Sequence, residues 1–192
     1  MLLRLRAAPL LALLYAGCSS PAPAPCAYAG DASAPIEAEL FGYAPDQTFT
    51  TIADGGALLI TGAPQGGYVL YAGALLQNVS ECKVTLAAEL LDPGSGAALT
   101  NRDQRQGNFG EALDGSVGWA APDDDYADLP NIPACPDALG RGIVGVPSIL
   151  QVTVTDELGK SGTFTQAVTA VCATGDSSCR CQCGPSDGGG CP

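Results

Sequence analysis

Residues 150–155 read Leu-Gln-Val-Thr-Val-Thr, and residues 163–172 read Thr-Phe-Thr-Gln-Ala-Val-Thr-Ala-Val-Cys, with a glycine-containing turn between them. In the first segment apolar residues alternate with polar ones, the two-residue period of a β-strand that buries one face. We predict that Leu150, Val152 and Val154 face the core. Two such segments around a short turn predict a β-hairpin, and this hairpin sets the fold class.

Further strand-like segments lie upstream of this hairpin. They are short apolar or alternating runs bounded by Gly, Asp and Pro: residues 36–41, 48–52, 57–60, 67–72, 82–91 and 117–120. No part of the chain carries a 3.6-residue apolar period over three turns. Short strands separated by turns predict an all-β antiparallel β-sandwich over residues 36–174.

Residues 92–148 do not fit this pattern well, because they are rich in Gly, Asp, Asn and Pro and hold one short apolar run. A structureless loop of that length is uncommon in a compact domain. Two interpretations stay open: short strands lie within the segment, or it is an ordered excursion held by Cys135.

The run from Val152 to Gly162 resembles the last hairpin of bacterial Ig-like surface modules, in which a V-x-V-x-D-x-x-G pattern precedes the closing strand. The resemblance implies an Ig-like β-sandwich displayed at the cell surface. The one Trp, Trp119, lacks the Cys…Trp…Cys spacing of antibody domains.

The start of the chain indicates export. Arg4 and Arg6 precede a short apolar stretch at residues 10–14, and Ala16-Gly17-Cys18 follows. This ending resembles the lipobox of bacterial lipoproteins, although Tyr15 stands where a Leu-like residue is usual. The resemblance implies lipidation of Cys18 and a membrane partner reached through that lipid. Ser19, in place of an Asp, implies the outer membrane. The alternative is a plain secretory signal cut nearby, with Cys18 incidental.

Composition divides the chain into four parts. They are a signal peptide at residues 1–17, a Pro/Ala-rich tether at 18–35, the sandwich at 36–174 and a Cys-rich tail at 175–192. Nine cysteines favour an oxidising compartment.

Lipidation of Cys18 leaves an even number of cysteines, which we expect to be oxidised: Cys26, Cys82, Cys135, Cys172, Cys179, Cys181, Cys183 and Cys191. We expect Cys26 to tie the tether to the domain and Cys172 to pair with Cys135 or Cys82. We expect the tail cysteines to pair mostly among themselves. The alternative is a thiolate metal cluster at Cys179, Cys181, Cys183 and Cys191.

An acidic run at residues 123–128 is the best candidate for a metal site. Calcium binds six to eight oxygen ligands, and Asp123, Asp125 and Asp128 supply carboxylates close together. The spacing is not that of an EF-hand loop. The alternative is a solvated surface loop.

The chain has no His, which excludes Ser-His-Asp and Cys-His catalysis and His-ligated zinc. A net charge of −12 argues against nucleic acid as a partner. We found no nucleophile elbow and no phosphate-binding loop. The sequence therefore predicts a non-catalytic envelope lipoprotein with a structural or adhesive role, which binds an envelope protein or a glycan and needs no cofactor other than the calcium considered above. The alternative is a carboxylate-based extracellular hydrolase that acts on glycosides, which requires a cleft with two carboxyl groups about 5–10 Å apart.

Overall fold

A computed structural model describes residues 26–44, 49–111, 118–122, 126–135 and 142–184. It contains thirteen strands, a short 3-10 helix and one α-helix. The strands are β1 (Tyr28–Ala29), β2 (Glu37–Tyr43), β3 (Phe49–Thr51), β4 (Gly56–Gly62), β5 (Tyr68–Gln77), β6 (Val79–Ser80), β7 (Val84–Leu91), β8 (Asp103–Gly107), β9 (Phe109–Glu111), β10 (Ala120–Pro122), β11 (Asn131–Cys135), β12 (Pro147–Thr155) and β13 (Ser161–Cys172). The 3-10 helix is Tyr126–Asp128, and the helix α1 is Ser177–Cys183.

Eleven strands form one strongly curled, mixed sheet with the shape of a half-barrel. Its main path runs β3-β2-β5-β4-β13-β12-β7-β8, and β10 and β11 also pair with β5. The long strand β5 joins the two regions of the sheet, because its first half pairs with β4 and β11 and its second half with β2. Strands β1 and β6 form a separate two-stranded ribbon.

The prediction of a β-rich fold is confirmed, because the described chain is mostly β, and its main sheet is a curled half-barrel; the Ig-like β-sandwich stays a prediction. The prediction of antiparallel pairing throughout is wrong at one place, because β13 pairs with β4 in parallel. One edge of β13 is taken by the hairpin partner β12, and its other edge accepts β4 from a distant part of the chain. Part of the predicted tail is also helical, since α1 spans Ser177–Cys183.

The hairpin that set the fold class is present. Strands β12 and β13 pair from Pro147↔Thr169 to Thr155↔Ser161. The side chains of Leu150, Val152 and Val154 are fully buried, as their alternation predicts. They pack in a core that includes Leu70, Leu76, Leu86 and Ile132.

Residues 92–148 contain short strands, which is the first of the two interpretations above. Strands β8, β9, β10 and β11 lie there, and Cys135 ends β11 in a disulfide with Cys183.

Among the residues that the structure describes, no helix is long and apolar enough to cross a membrane.

Candidate functional site

Three disulfides join described residues: Cys26–Cys82, Cys135–Cys183 and Cys172–Cys179. Cys181 is disulfide-bonded as well. The expected bond from Cys26 to the domain is confirmed. Two other expectations are wrong, because Cys172 pairs with Cys179 and because Cys183 pairs with Cys135 rather than within the tail.

The helix α1 explains this connectivity. Cys179 and Cys183 stand four residues apart, so they share one helical face, and both side chains are fully buried. That face meets the end of β13, which carries Cys172, and the end of β11, which carries Cys135. Because the described tail cysteines are oxidised, they offer no thiolates for the alternative metal cluster. Cys191 lies outside the described residues.

The N-terminal segment, defined as residues 26–35, is bonded to the domain along its length. Strand β1 pairs with β6, and Asn78 holds the rest of the segment. The Asn78 side chain accepts a hydrogen bond from the Asp31 backbone N–H and donates one to the Pro35 carbonyl. Asn78 adopts a left-handed backbone with φ 59°, which Asn tolerates better than most residues do.

Lys160 fastens the same segment from the β12–β13 turn. Its Nζ donates to the Tyr28 hydroxyl, to the Ala32 carbonyl and, at 2.7 Å, to the Asn78 carbonyl. The ammonium also lies 5.6 Å from the centroid of the Tyr28 ring, a cation–π distance. Hydrogen bonds from a charged donor are stronger than neutral ones, so this side chain fixes the segment firmly.

A tight turn within the segment lowers the pKa of Asp31. The backbone N–H and the hydroxyl of Ser33 both donate to the Asp31 carboxylate, and Lys160 adds a weaker electrostatic attraction. These interactions favour the charged carboxylate, which is the direction of the shift.

A polar recess of about 200 Å³ is lined by Lys83, Gln106, Gly107, Asn108 and Asp128, and Lys83 directly follows Cys82 in the chain. Lys83 has a left-handed backbone with φ 51°, and its N–H faces the Asn108 side-chain oxygen at 3.4 Å. Gly107 leaves room for Asp128, because a Cβ at this glycine would collide with the Asp128 carboxyl group.

The recess contains one residue of the predicted calcium site. Asp128 lies in the 3-10 helix, whereas Asp123 and Asp125 lie outside the described residues. Lys83 lines the same recess, and a cationic residue nearby disfavours a bare metal ion. A calcium site in the acidic run stays a prediction.

The sequence carries no motif that marks Lys83, Gln106 or Asn108 as site residues. These residues meet because β7 pairs with β8 in the register Val84↔Gly107. No local sequence pattern marks that pairing. The lining residues Lys83, Asp128, Gln106 and Asn108 are of types that suit a small polar ligand held by hydrogen bonds.

Comparison with known proteins found no family model, no curated protein and no solved structure that matches this chain.

Proposed function

We propose that this chain is an exported lipoprotein whose disulfide-braced β-domain binds an envelope protein or a glycan without catalysing a reaction. The observation that supports it most is the Cys26–Cys82 disulfide, which fastens the domain directly behind the predicted anchor. Disulfides persist in oxidising compartments, so those described here indicate an extracytoplasmic protein. The lipid at Cys18, the outer membrane and the Ig-like relationship are parts of the proposal.

The bonded N-terminal segment shortens the tether. Residues 26–35 are held by the domain, so the linker that remains after Cys18 is residues 18–25 rather than 18–35. In an extended polyproline conformation eight residues span about 25 Å, at about 3.1 Å per residue. The domain would therefore sit close to the membrane.

The disulfides also give the molecule two distinct ends. Cys26–Cys82 lies where β7 begins, and β7 runs away from it for eight residues toward the region of Leu91. Cys172–Cys179 and Cys135–Cys183 brace α1 against the ends of β13 and β11. An anchor attached before Cys26 leaves the opposite end free to meet partners.

The non-catalytic part of the proposal is supported by chemistry. The chain has no His, and Asp128 is the one carboxylate among the described residues that line the recess. A glycoside hydrolase needs two carboxyl groups across a cleft. Hydrolysis of an envelope glycan that is lost in D128N would contradict this part of the proposal.

Metabolic labelling with palmitate tests the anchor. Label should enter the wild type and the matched S19A variant, and it should be absent from C18S. Release of an unlabelled wild-type chain into the soluble fraction would contradict the proposal.

A further inference from the structure

We infer that the turn between β12 and β13, residues 156–160, touches the lipid surface through Leu158; this inference rests on the proposed anchor at Cys18. The partner is an electrically neutral bilayer surface.

The turn lies beside the Cys26–Cys82 disulfide. A carboxylate oxygen of Glu157 and the sulfurs of Cys26 and Cys82 all lie within 4.8 Å of one another. Ser80 holds this carboxylate by donating its hydroxyl hydrogen at 2.9 Å. The linker to Cys18 starts at Cys26, so the turn stands beside the point where the linker leaves the domain.

The side chain of Leu158 is strongly exposed. Leu158 is 74% exposed, whereas Phe49, the other exposed large apolar residue among those described, is 42% exposed. A single exposed Leu is ordinary on a protein surface. What distinguishes Leu158 is its place next to the membrane linker.

Hydrogen bonds within the turn order its backbone. The buried Asp156 carboxylate accepts hydrogen bonds from the backbone N–H groups of Leu158, at 3.0 Å, and Lys160, at 2.9 Å. Gly159 adopts φ 84° and donates its N–H to the Asp156 carbonyl. Because the backbone is already ordered, little further conformational freedom is lost when Leu158 meets a surface.

Because the linker keeps the turn near the bilayer, a weak contact by Leu158 is sufficient to bring the turn to the lipid surface. Residues 18–25 carry no charge and include Pro21, Pro23 and Pro25. A short linker of this kind holds the turn at an effective concentration in the millimolar range near the bilayer. One leucine side chain, too weak to recruit a free protein, then spends a substantial time in the interface.

The net charge of the mature chain determines which kind of lipid surface the turn contacts best. Removal of residues 1–17 takes away Arg4 and Arg6, so the mature chain has a net charge of (8 − 2) − 20 = −14. Such a chain is repelled by anionic headgroups. Contact should therefore be strongest on zwitterionic, net-neutral lipid.

The test uses the full lipidated chain in phosphatidylcholine vesicles. Leu158→Trp is placed in a Trp119→Phe background, so that the new indole is the only one. Its matched control is Ala97→Trp in the same background. Ala97 is exposed and lies beyond the far end of β7, about 25 Å from the turn at about 3.3 Å per strand residue.

We expect L158W emission to shift to shorter wavelength on vesicles and to be quenched by brominated acyl chains, while A97W changes in neither respect. Adding Cys18→Ser to L158W should abolish the shift. Equal quenching of L158W and A97W in chains that mass spectrometry shows to be acylated would overturn this inference alone. Absence of the acyl group from the wild type would overturn the proposed anchor and this inference together.

Discussion

The ammonium of Lys160 donates to three oxygens, and two of them belong to the N-terminal segment. The chain contains one other Lys, Lys83, whose side chain is exposed beside the recess. The two lysines therefore differ in their contacts and share their chemistry. This contrast separates the effect of a lost attachment from the effect of a lost charge.

Lys160→Met should lower the free energy of unfolding by about 1–3 kcal/mol, because several charge-assisted hydrogen bonds to partly buried oxygens are lost. Lys83→Met, with the same change of charge, should stay within about 0.5 kcal/mol of the wild type. Urea unfolding followed by circular dichroism measures both. Equal losses in the two variants would contradict the role given to Lys160.

The hydrogen bonds from Ser33 to the Asp31 carboxylate make the stability of this turn depend on pH, and the stability should fall in acid. The pKa of Asp31 lies below its ordinary value of 3.8 in the folded chain, so its stabilising contribution is present above that value and is lost as the pH falls through the folded pKa. Carbon-13 titration of the Asp31 carboxyl group should give a midpoint below 3.8. The midpoint should move toward 3.8 in Ser33→Ala, and a wild-type midpoint at or above 3.8 would contradict the hydrogen bonding described here.

At the level of secondary-structure elements, local sequence patterns predict a hairpin between neighbouring strands. They do not predict which distant segments of the chain pair with one another. The β12–β13 hairpin was predictable because its alternation and its turn lie within one stretch of chain. Strand β8 was not, since its sequence Asp-Gln-Arg-Gln-Gly has no apolar face, and β11 contains Pro133, which lowers strand propensity. The parallel partner of β13 comes from residues 56–60, more than a hundred positions away.

The same reasoning explains what was predictable of the candidate site. Asp128 was named because it belongs to an acidic run. Lys83, Gln106 and Asn108 are joined to it only through the register of β7 and β8, and their own sequence gives no signal.

The helix α1 has a capping residue that can be tested separately from its disulfides. The Asp176 side chain accepts a hydrogen bond from the Cys179 N–H at 2.9 Å, and the Tyr68 hydroxyl also donates to it. Asp176→Ala should cost about 1 kcal/mol of stability, the usual value for the loss of an N-cap. Ser178→Ala, an exposed change within the same helix, should be nearly neutral in the same thermal unfolding measurements. An unchanged stability of D176A would show that the disulfides alone fix the helix.

For the molecule as a whole, the disulfides close loops of very different length. Cys26–Cys82 spans 56 residues, whereas Cys172–Cys179 spans 7. Sequence could not choose among the many connectivities, because α1 and the ends of β11 and β13 meet only in the folded chain. Cross-links restrict the unfolded chain more when the loop is longer.

Replacing both Cys26 and Cys82 by Ala should therefore cost about 4 kcal/mol, and replacing Cys172 and Cys179 about 2 kcal/mol, in the chain-entropy model. Denaturant unfolding of the two double variants gives the comparison. A larger loss from the short loop than from the long one would contradict this order.

The proposed molecule is an exported chain that is anchored at Cys18 and closed by disulfides. The described bonds and the oxidised Cys181 account for seven of the nine cysteines, and the other two are Cys18 and Cys191. Since the proposal places an acyl group on Cys18, we expect Cys191 to pair with Cys181.

Non-reducing peptide mass mapping of the protein purified from its own membrane detects the acyl group and the disulfides in one experiment. We expect an acylated N-terminal peptide that begins at Cys18, the bonds Cys26–Cys82, Cys135–Cys183 and Cys172–Cys179, a Cys181–Cys191 bond and no free thiol. A Cys18–Cys181 bond, or an unmodified Cys18, would contradict this proposal.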